Sequence, residues 1–377
     1  MPFGFSARLG AFYAALCLII GVQLAFFPVW LSAKGLDAPT IGLVLAVPMI
    51  VRIAAVQVTA YIADRRDALR ETIIAASVLT VGLYVGLGFA DGAAMILIAY
   101  ALASAAYTPI MPLTETYALK GVAAHGGTYG RPRLWGSVSF IVGVFAAGFF
   151  ADLMPAVYLI WLVVAATALN AAASFVLTPL HTEPSDQSVL AATPLWRDRV
   201  FIAAIAAASL IQASHAIYYG FSAVQWKGEG YDGATIAALW ALGVVAEIVL
   251  FAYSARLPGP GVLLIAGAAG GVIRWVAMAF DPPAAALPFL QVLHALSFGA
   301  THLGSLNLVA QRAGRGRGAT AQGHLSIALG LVMAASMSVS GVLYARFGTL
   351  SYLAMALAAG AGGACAILAY RAGRHPV

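Results

Sequence analysis

Gly35-Leu36-Asp37-Ala38-Pro39-Thr40-Ile41 and Gly230-Tyr231-Asp232-Gly233-Ala234-Thr235-Ile236 align without gaps at an offset of 195, and each leads into an apolar run. At the same offset Ala46 meets Ala241 and Ile53 meets Ile248. Aspartate and threonine ahead of an apolar helix are good N-terminal caps, so capping alone explains part of the match. The remaining identities point to a chain built twice from one pattern.

The runs on either side are long. Stretches of 18 or more apolar residues give twelve spans near 8–32, 38–62, 71–90, 93–119, 132–151, 154–178, 199–226, 234–255, 261–280, 284–311, 319–345 and 350–371. A helix needs ~20 apolar residues to cross the hydrocarbon core. Hydrophobic residues make up 62% of the 377 and charged ones 9%, against about a quarter charged in a soluble domain, which excludes a water-soluble fold. The longest polar connection parts six spans from six. The expected organisation is all-α and integral to the membrane: a six-helix bundle over 1–178, a cytoplasmic linker over 179–198 and a second six-helix bundle over 199–377. The first run is longer than a signal-peptide core and runs at once into a second, so it reads as a retained helix.

The net charge of +6 follows from topology. With the N-terminus inside, fifteen of the twenty Lys and Arg residues fall on cytoplasmic segments and three (Lys34, Lys227 and Arg346) on the other side. This positive-inside bias puts both termini in the cytoplasm, as an even number of spans requires, and removes nucleic acid as a partner. Cys17 and Cys365 lie in separate apolar spans and form no metal or redox pattern.

The remaining two basic residues, Arg52 and Arg274, lie inside spans. A charge at the bilayer centre costs ~2.5–3.5 kcal/mol and marks a functional site by default. Arg52, Glu115, Glu247 and Arg274 meet that description, with Arg133 one turn inside the fifth span. The repeat offset of 195 makes Arg52 and Glu247 equivalent, so both are expected to face one cavity. Arg133 at a headgroup interface, a snorkelling Arg274, and structural ion pairs for Glu115 and Glu247 are the plainer readings. Burial moves a carboxyl toward neutrality, which suits a proton carrier.

Polar side chains recur at three- and four-residue steps in two spans: Gln212, His215, Tyr219 and Ser222, and His294, Ser297, Thr301 and Ser305 with His302 beside them. Each histidine suits proton transfer or solute binding, or is simply a satisfied core residue. Trp240 is one of several aromatics placed toward a cavity end or the outer interface. The glycines at 267–271 read as a close-packing surface. No catalytic constellation, Walker pattern or dinucleotide fingerprint is present, so an enzyme is not expected.

Residues 60–66, ending in Asp64-Arg65-Arg66, resemble the cytoplasmic signature loop of the major facilitator superfamily, and Tyr253-Ser-Ala-Arg256 stands in the corresponding loop of the second half. Tyr129-Gly-Arg131-Pro-Arg133-Leu-Trp-Gly136, with Glu115 in the preceding span, resembles the lactose-permease group of proton symporters. Glu247, Arg274 and His294 fall where that group has a carboxylate, an arginine and a histidine. It has its proton-carrying glutamate three residues further on, where this chain has Ser297. The stretches 214–222 and 293–304 are similar to the phenylpropionate-permease branch.

The resemblance implies twelve helices in two pseudo-symmetric bundles and a transporter of the inner membrane working by alternating access. A small organic solute, for instance an aromatic monocarboxylate, would enter with protons. Arg52, Glu115, Arg133, His215, Tyr219, Trp240, Arg274 and His302 are expected to bind it. Glu247, Glu115 and His294 are expected to couple protons, and Asp64, Arg65, Arg66 and Arg256 to gate. No cofactor or metal is expected, the proton gradient being the energy source, and the protein is expected to be a monomer in the lipid bilayer. A symporter of neutral sugars or nucleosides, a drug/proton antiporter and a non-transporting membrane receptor are the alternatives.

Overall fold

The computed structural model describes residues 4–125, 130–180, 195–313 and 317–374. Tyr129 of the arginine motif, Arg315, and residues 181–194 of the expected linker lie outside them. Every regular element among the described residues is helical. In chain order these are α1 (Phe5–Ala33), α2 (Ala38–Arg65), α3 (Leu69–Gly88), α4 (Ala93–Tyr107), α5 (Ile110–His125), α6 (Gly130–Leu153), α7 (Ile160–Ser174), α8 (Arg199–Ala213), α9 (Ala216–Gly228), α10 (Gly233–Ala252), α11 (Pro260–Ala279), α12 (Leu287–Val292), a π-helical turn (Ala295–Ala300), α13 (Thr301–Ala313), α14 (Gly318–Phe347) and α15 (Tyr352–Arg374).

Eleven described stretches are long and apolar enough to cross a membrane. The last of them, Thr320–Ala372, holds both α14 and α15, joined by a 3-10 turn over Gly348–Ser351, so the count is compatible with twelve. Three stretches are broken helices. Pro109 and Pro112 lack the N–H groups that would continue the ladder, and α4 gives way to α5 there. Between α8 and α9 the side chains of Ser214 and His215 bond the Ile211 and Gln212 carbonyls at 2.6 and 3.0 Å, competing with the backbone. The third break is the π turn between α12 and α13.

The two copies of the repeat fold alike. After α1, Gly35 takes φ +80° and the Leu36 amide reaches back to the Leu31 carbonyl; after α9, Gly230 takes φ +90° and the Tyr231 amide reaches the Trp226 carbonyl. Both are helix stops that need a left-handed residue, hence glycine. Asp37 then accepts the Thr40 amide at 3.0 Å, and Asp232 the Thr235 amide at 2.7 Å. Ile41 and Ile236 are buried on the first turn of the helix that follows.

Two compact units result, Met1–Asp186 with Ala223–Ala238, and Gln187–Ser222 with Leu239–Val377. In the first, α1 crosses α6 at glycines: a Cβ on Gly21 would lie 2.2 Å from the Phe140 carbonyl oxygen, and one on Gly143 2.8 Å from that of Leu18. The same unit packs the start of α10 on the end of α6 through Gly148 and Gly233. There Asp152 accepts the Gly233 amide and pairs with Lys227. In the second unit, the glycines of α11 serve the close packing expected of them. Gly267 makes room for Thr301, Gly270 for Leu296, and Gly271 for Ala359.

Candidate functional site

Arg274 on α11 is the only arginine among the buried described residues, with none of its surface exposed, so it does not snorkel. Its Nη2 donates to Gln291 Oε1 at 2.6 Å, and its Nη1 lies 3.1 Å from His294 Nδ1. A guanidinium has only donors, so His294 Nδ1 accepts and the proton of the neutral ring sits on Nε2. That nitrogen is 3.8 Å from Glu247 Oε2 on α10. The guanidinium also lies 4.4 Å from the Tyr218 ring centre and 4.6 Å from that of Trp275, cation–π contacts that help hold a charge away from water. Trp240 stacks on Tyr218 at 4.7 Å.

Three buried donors of this cluster, Arg274 Nε, Gln291 Nε2 and Trp240 Nε1, have no hydrogen-bond partner among the described residues. Each buried group left in that condition costs about 1–3 kcal/mol.

The π turn sets the geometry beside them. Gln212 donates to the Phe298 carbonyl at 3.3 Å, giving it a side-chain partner. His215 Nδ1 faces the Gln212 carbonyl and therefore donates, which leaves Nε2 of the neutral ring to accept from the Ser297 hydroxyl at 3.1 Å. Ser297 thus retains a polar contact but carries no charge. Gly299 leaves room for Glu247, whose Cγ a methyl at Gly299 would meet at 3.2 Å. All four residues of the second expected stripe, His294, Ser297, Thr301 and Ser305, are buried.

Within the first unit, Arg133 Nε lies 3.5 Å from Glu115 Oε1, and both side chains are about a third exposed. The guanidinium rests 5.6 Å from the Tyr13 ring centre, with Nη1 3.9 Å from Cys17 Sγ. Gly136 of the arginine motif has a physical reason: a Cβ there would come 2.7 Å from Cys17 Sγ and 2.9 Å from Arg133 Nη1.

Of the other expected residues, Tyr219 stacks on His215 at 5.5 Å and joins the Arg274 cluster along with Trp240. His302 is exposed and stands one ring beyond it, in a column His294, Phe298, His302 with successive spacings of 5.1 and 6.0 Å. Arg52 is exposed on α2 and has no hydrogen-bond or ion-pair partner among the described residues. Asp64, Arg65 and Arg66 are exposed, Arg65 bonding Tyr61, and Arg256 lies over Tyr253. Arg70 ties helix ends, donating to the Phe175 and Leu177 carbonyls after α7.

Sequence reasoning missed Gln291, Trp275 and Arg70. Gln291 sits three residues before His294, one step back along the same stripe, and was open to detection. Trp275, whose indole donates to Ser214 Oγ at 2.9 Å, carried no such signal.

Known proteins agree with this architecture. The model of the MFS_1 like family matches residues 7–354. The chain is 30% identical over 349 residues to the probable 3-phenylpropionic acid transporter of Escherichia coli (strain K12), covering 90% of this chain and 91% of that one. It is 28% identical over 284 residues to the maltose permease of Geobacillus stearothermophilus, covering 72% and 70%. Among solved structures, the nucleoside transporter NupG superposes with a TM-score of 0.82 at 13% identity over 99% of this chain and all of that one. A bacterial homolog of the human lysosomal transporter Spinster gives 0.71 at 13% over 97% and 96%. On these matches the chain belongs to the MFS_1 like family and is a multi-pass secondary transporter of the major facilitator superfamily, not an enzyme.

Proposed function

We propose that this transporter carries a small aromatic monocarboxylate together with a proton. The observation that supports it is the donor set left over around a fully buried arginine: Arg274 Nε, Gln291 Nε2 and Trp240 Nε1 have hydrogens and no acceptors among the described residues. A carboxylate is all acceptor. The faces and edges of Tyr218, Tyr219, Trp240 and Trp275 suit an aromatic ring attached to it. The solute named for the Escherichia coli relative, 3-phenylpropionic acid, has both parts.

Charge balance supplies the coupling. In the empty site the positive Arg274 is offset by Glu247, relayed through His294. A solute carboxylate arriving alone would leave the site one negative charge in excess, and a proton arriving alone one positive charge. Together they keep it neutral, and an uncompensated buried charge costs several kcal/mol. Glu247 is the proton carrier on this reading, since Ser297 cannot be.

In the proposed orientation, supported by the arginine bias, the protein lies in the inner membrane with both termini in the cytoplasm. It functions by alternating access, as a monomer.

The test is uptake of 3-phenylpropionate by proteoliposomes under an inward proton gradient. The acid competes and its neutral amide does not, and Arg274→Gln abolishes uptake. Equal competition by acid and amide overturns the carboxylate reading.

A neutral sugar or nucleoside is the second reading. The Glu115–Arg133 pair, about a third exposed, offers both an acceptor and donors to hydroxyls, and one relative is named a maltose permease. Competition by maltose or uridine in the same assay would favour it.

A further inference from the structure

A groove of about 470 Å³ runs between α8 and α14 of the second unit, lined by none of the residues of the Arg274 cluster. That volume lies within the ~300–1,000 Å³ typical of ligand pockets. Ile202, Ala206 and Leu210 line one wall, and His324, Ala328 and Val332 the other. The floor is apolar and one end is not. At that end Trp196, an exposed indole, stands 6.4 Å from the His324 ring, and Phe201 approaches the same ring edge-on at 6.2 Å.

Helical spacing adds a charge to this mouth. Arg199, the first residue of α8, is three residues before Ile202 and seven before Ala206, so it heads the face that lines the groove, and it is exposed. Arg312, on α13, pairs with Asp198.

The depth is informative. From Arg199 to Leu210 and from His324 to Val332, a rise of 1.5 Å per residue gives ~12–16 Å. One leaflet of the hydrocarbon core, half of ~30 Å, is about 15 Å thick. The groove is therefore as deep as one leaflet, with an interfacial tryptophan, an imidazole and an arginine where headgroups lie.

We propose that this groove is a binding site for one anionic phospholipid, an acyl chain seated between α8 and α14 and its phosphate held at Arg199 and His324. The experiment is native mass spectrometry of the purified full-length protein supplied with equal phosphatidylglycerol and phosphatidylcholine of matched chains. The wild type retains one phosphatidylglycerol about tenfold more than phosphatidylcholine. Arg199→Gln brings the two to parity, and Ala206→Trp, which fills the groove, removes the retained lipid whatever its headgroup. Glycerol phosphate at the same concentration displaces nothing. Equal retention of the two lipids by the wild type, an unchanged preference in Arg199→Gln, or displacement by glycerol phosphate overturns the proposal. Arg199→Gln changes only an exposed side chain, so the test stands even if Ala206→Trp does not fold.

Discussion

Arg133 keeps a carboxylate 3.5 Å away and about a third of its side chain exposed, whereas Arg274 is wholly enclosed and its guanidinium meets His294, Gln291 and the faces of two aromatic rings. Both are helix arginines in apolar surroundings. The first forms a direct ion pair with Glu115 where water still screens it, so little is gained or lost by the pair itself. The second donates to the neutral side chains of His294 and Gln291, and its nearest carboxylate, Glu247, stands one imidazole further off. A charge arranged in that way suits the proposed coupling, in which an anion and a proton arrive together.

The largest expected effect breaks or upholds this contrast directly. Removing a buried, hydrogen-bonded charge costs about 2–5 kcal/mol, so Arg274→Gln lowers the initial rate of proteoliposome uptake by about 30-fold or more. Arg133→Gln lowers it by roughly tenfold or less, as suits a partly exposed pair. Equal losses, at equal reconstituted protein, would remove the distinction.

Next comes Glu247→Gln, which fixes the neutral form of the proposed carrier. Solute counterflow persists and accumulation driven by a pH gradient disappears. Undiminished accumulation would move the coupling role elsewhere, with Glu115→Gln as the following variant to measure.

Stability changes are smaller and contrast the two ways of packing glycine. Gly21→Ala drives a methyl against the Phe140 backbone oxygen, which cannot yield locally, and overpacking of that kind costs about 1–3 kcal/mol. Gly136→Ala meets the side-chain ends of Cys17 and Arg133 instead. Thermal unfolding in detergent is expected to fall more for Gly21→Ala, while Gly136→Ala shows the greater rise in KM because Arg133 must move.

The smallest effect belongs to the Asp198–Arg312 pair. Burial works against the charge on Asp198, and the Arg312 guanidinium with the Phe201 and Val200 amides outweighs it, holding the carboxyl below its ordinary value of 3.8. A lowered folded-state value contributes stability that is present above the ordinary carboxylate range and is lost as pH falls through it. Asp198→Asn should therefore lower Tm above that range and leave it nearly unchanged below it, so that the decline from about pH 5 to pH 3 is flatter than in the wild type. A decline as steep as that of the wild type would assign it to other carboxylates.

The repeat was legible because its identities are the residues that a stop-and-start between helices requires: a left-handed glycine, a capping aspartate and a buried isoleucine. Span positions were legible because apolar length is a crude quantity. The charged residues were found by the cost of burying them, and His215, Ser297 and His294 by helical spacing. What spacing could not give is the set of helix breaks at 108–109 and 214–215 and the π turn. These depend on which side chains compete for carbonyls in three dimensions. For the same reason the pairing of Ser297 with His215, 82 residues apart, was out of reach, as was the task of Arg70, which in sequence is one more topogenic arginine.

The π turn at Ala295–Ala300 also means that this span contains a spare residue. A regular helix cannot lose one position without rotating everything beyond it, but a segment already holding one too many can lose it and rewind. Deleting Ala300 should leave α13 docked, with Ser305 and Val309 still protected in hydrogen exchange, while Ser297 turns away from His215 and transport stops. Exchange throughout α13 like that of an undocked helix would show the surplus to be part of the scaffold. Otherwise scaffold and site have separate lengths, and one of them can be edited without the other.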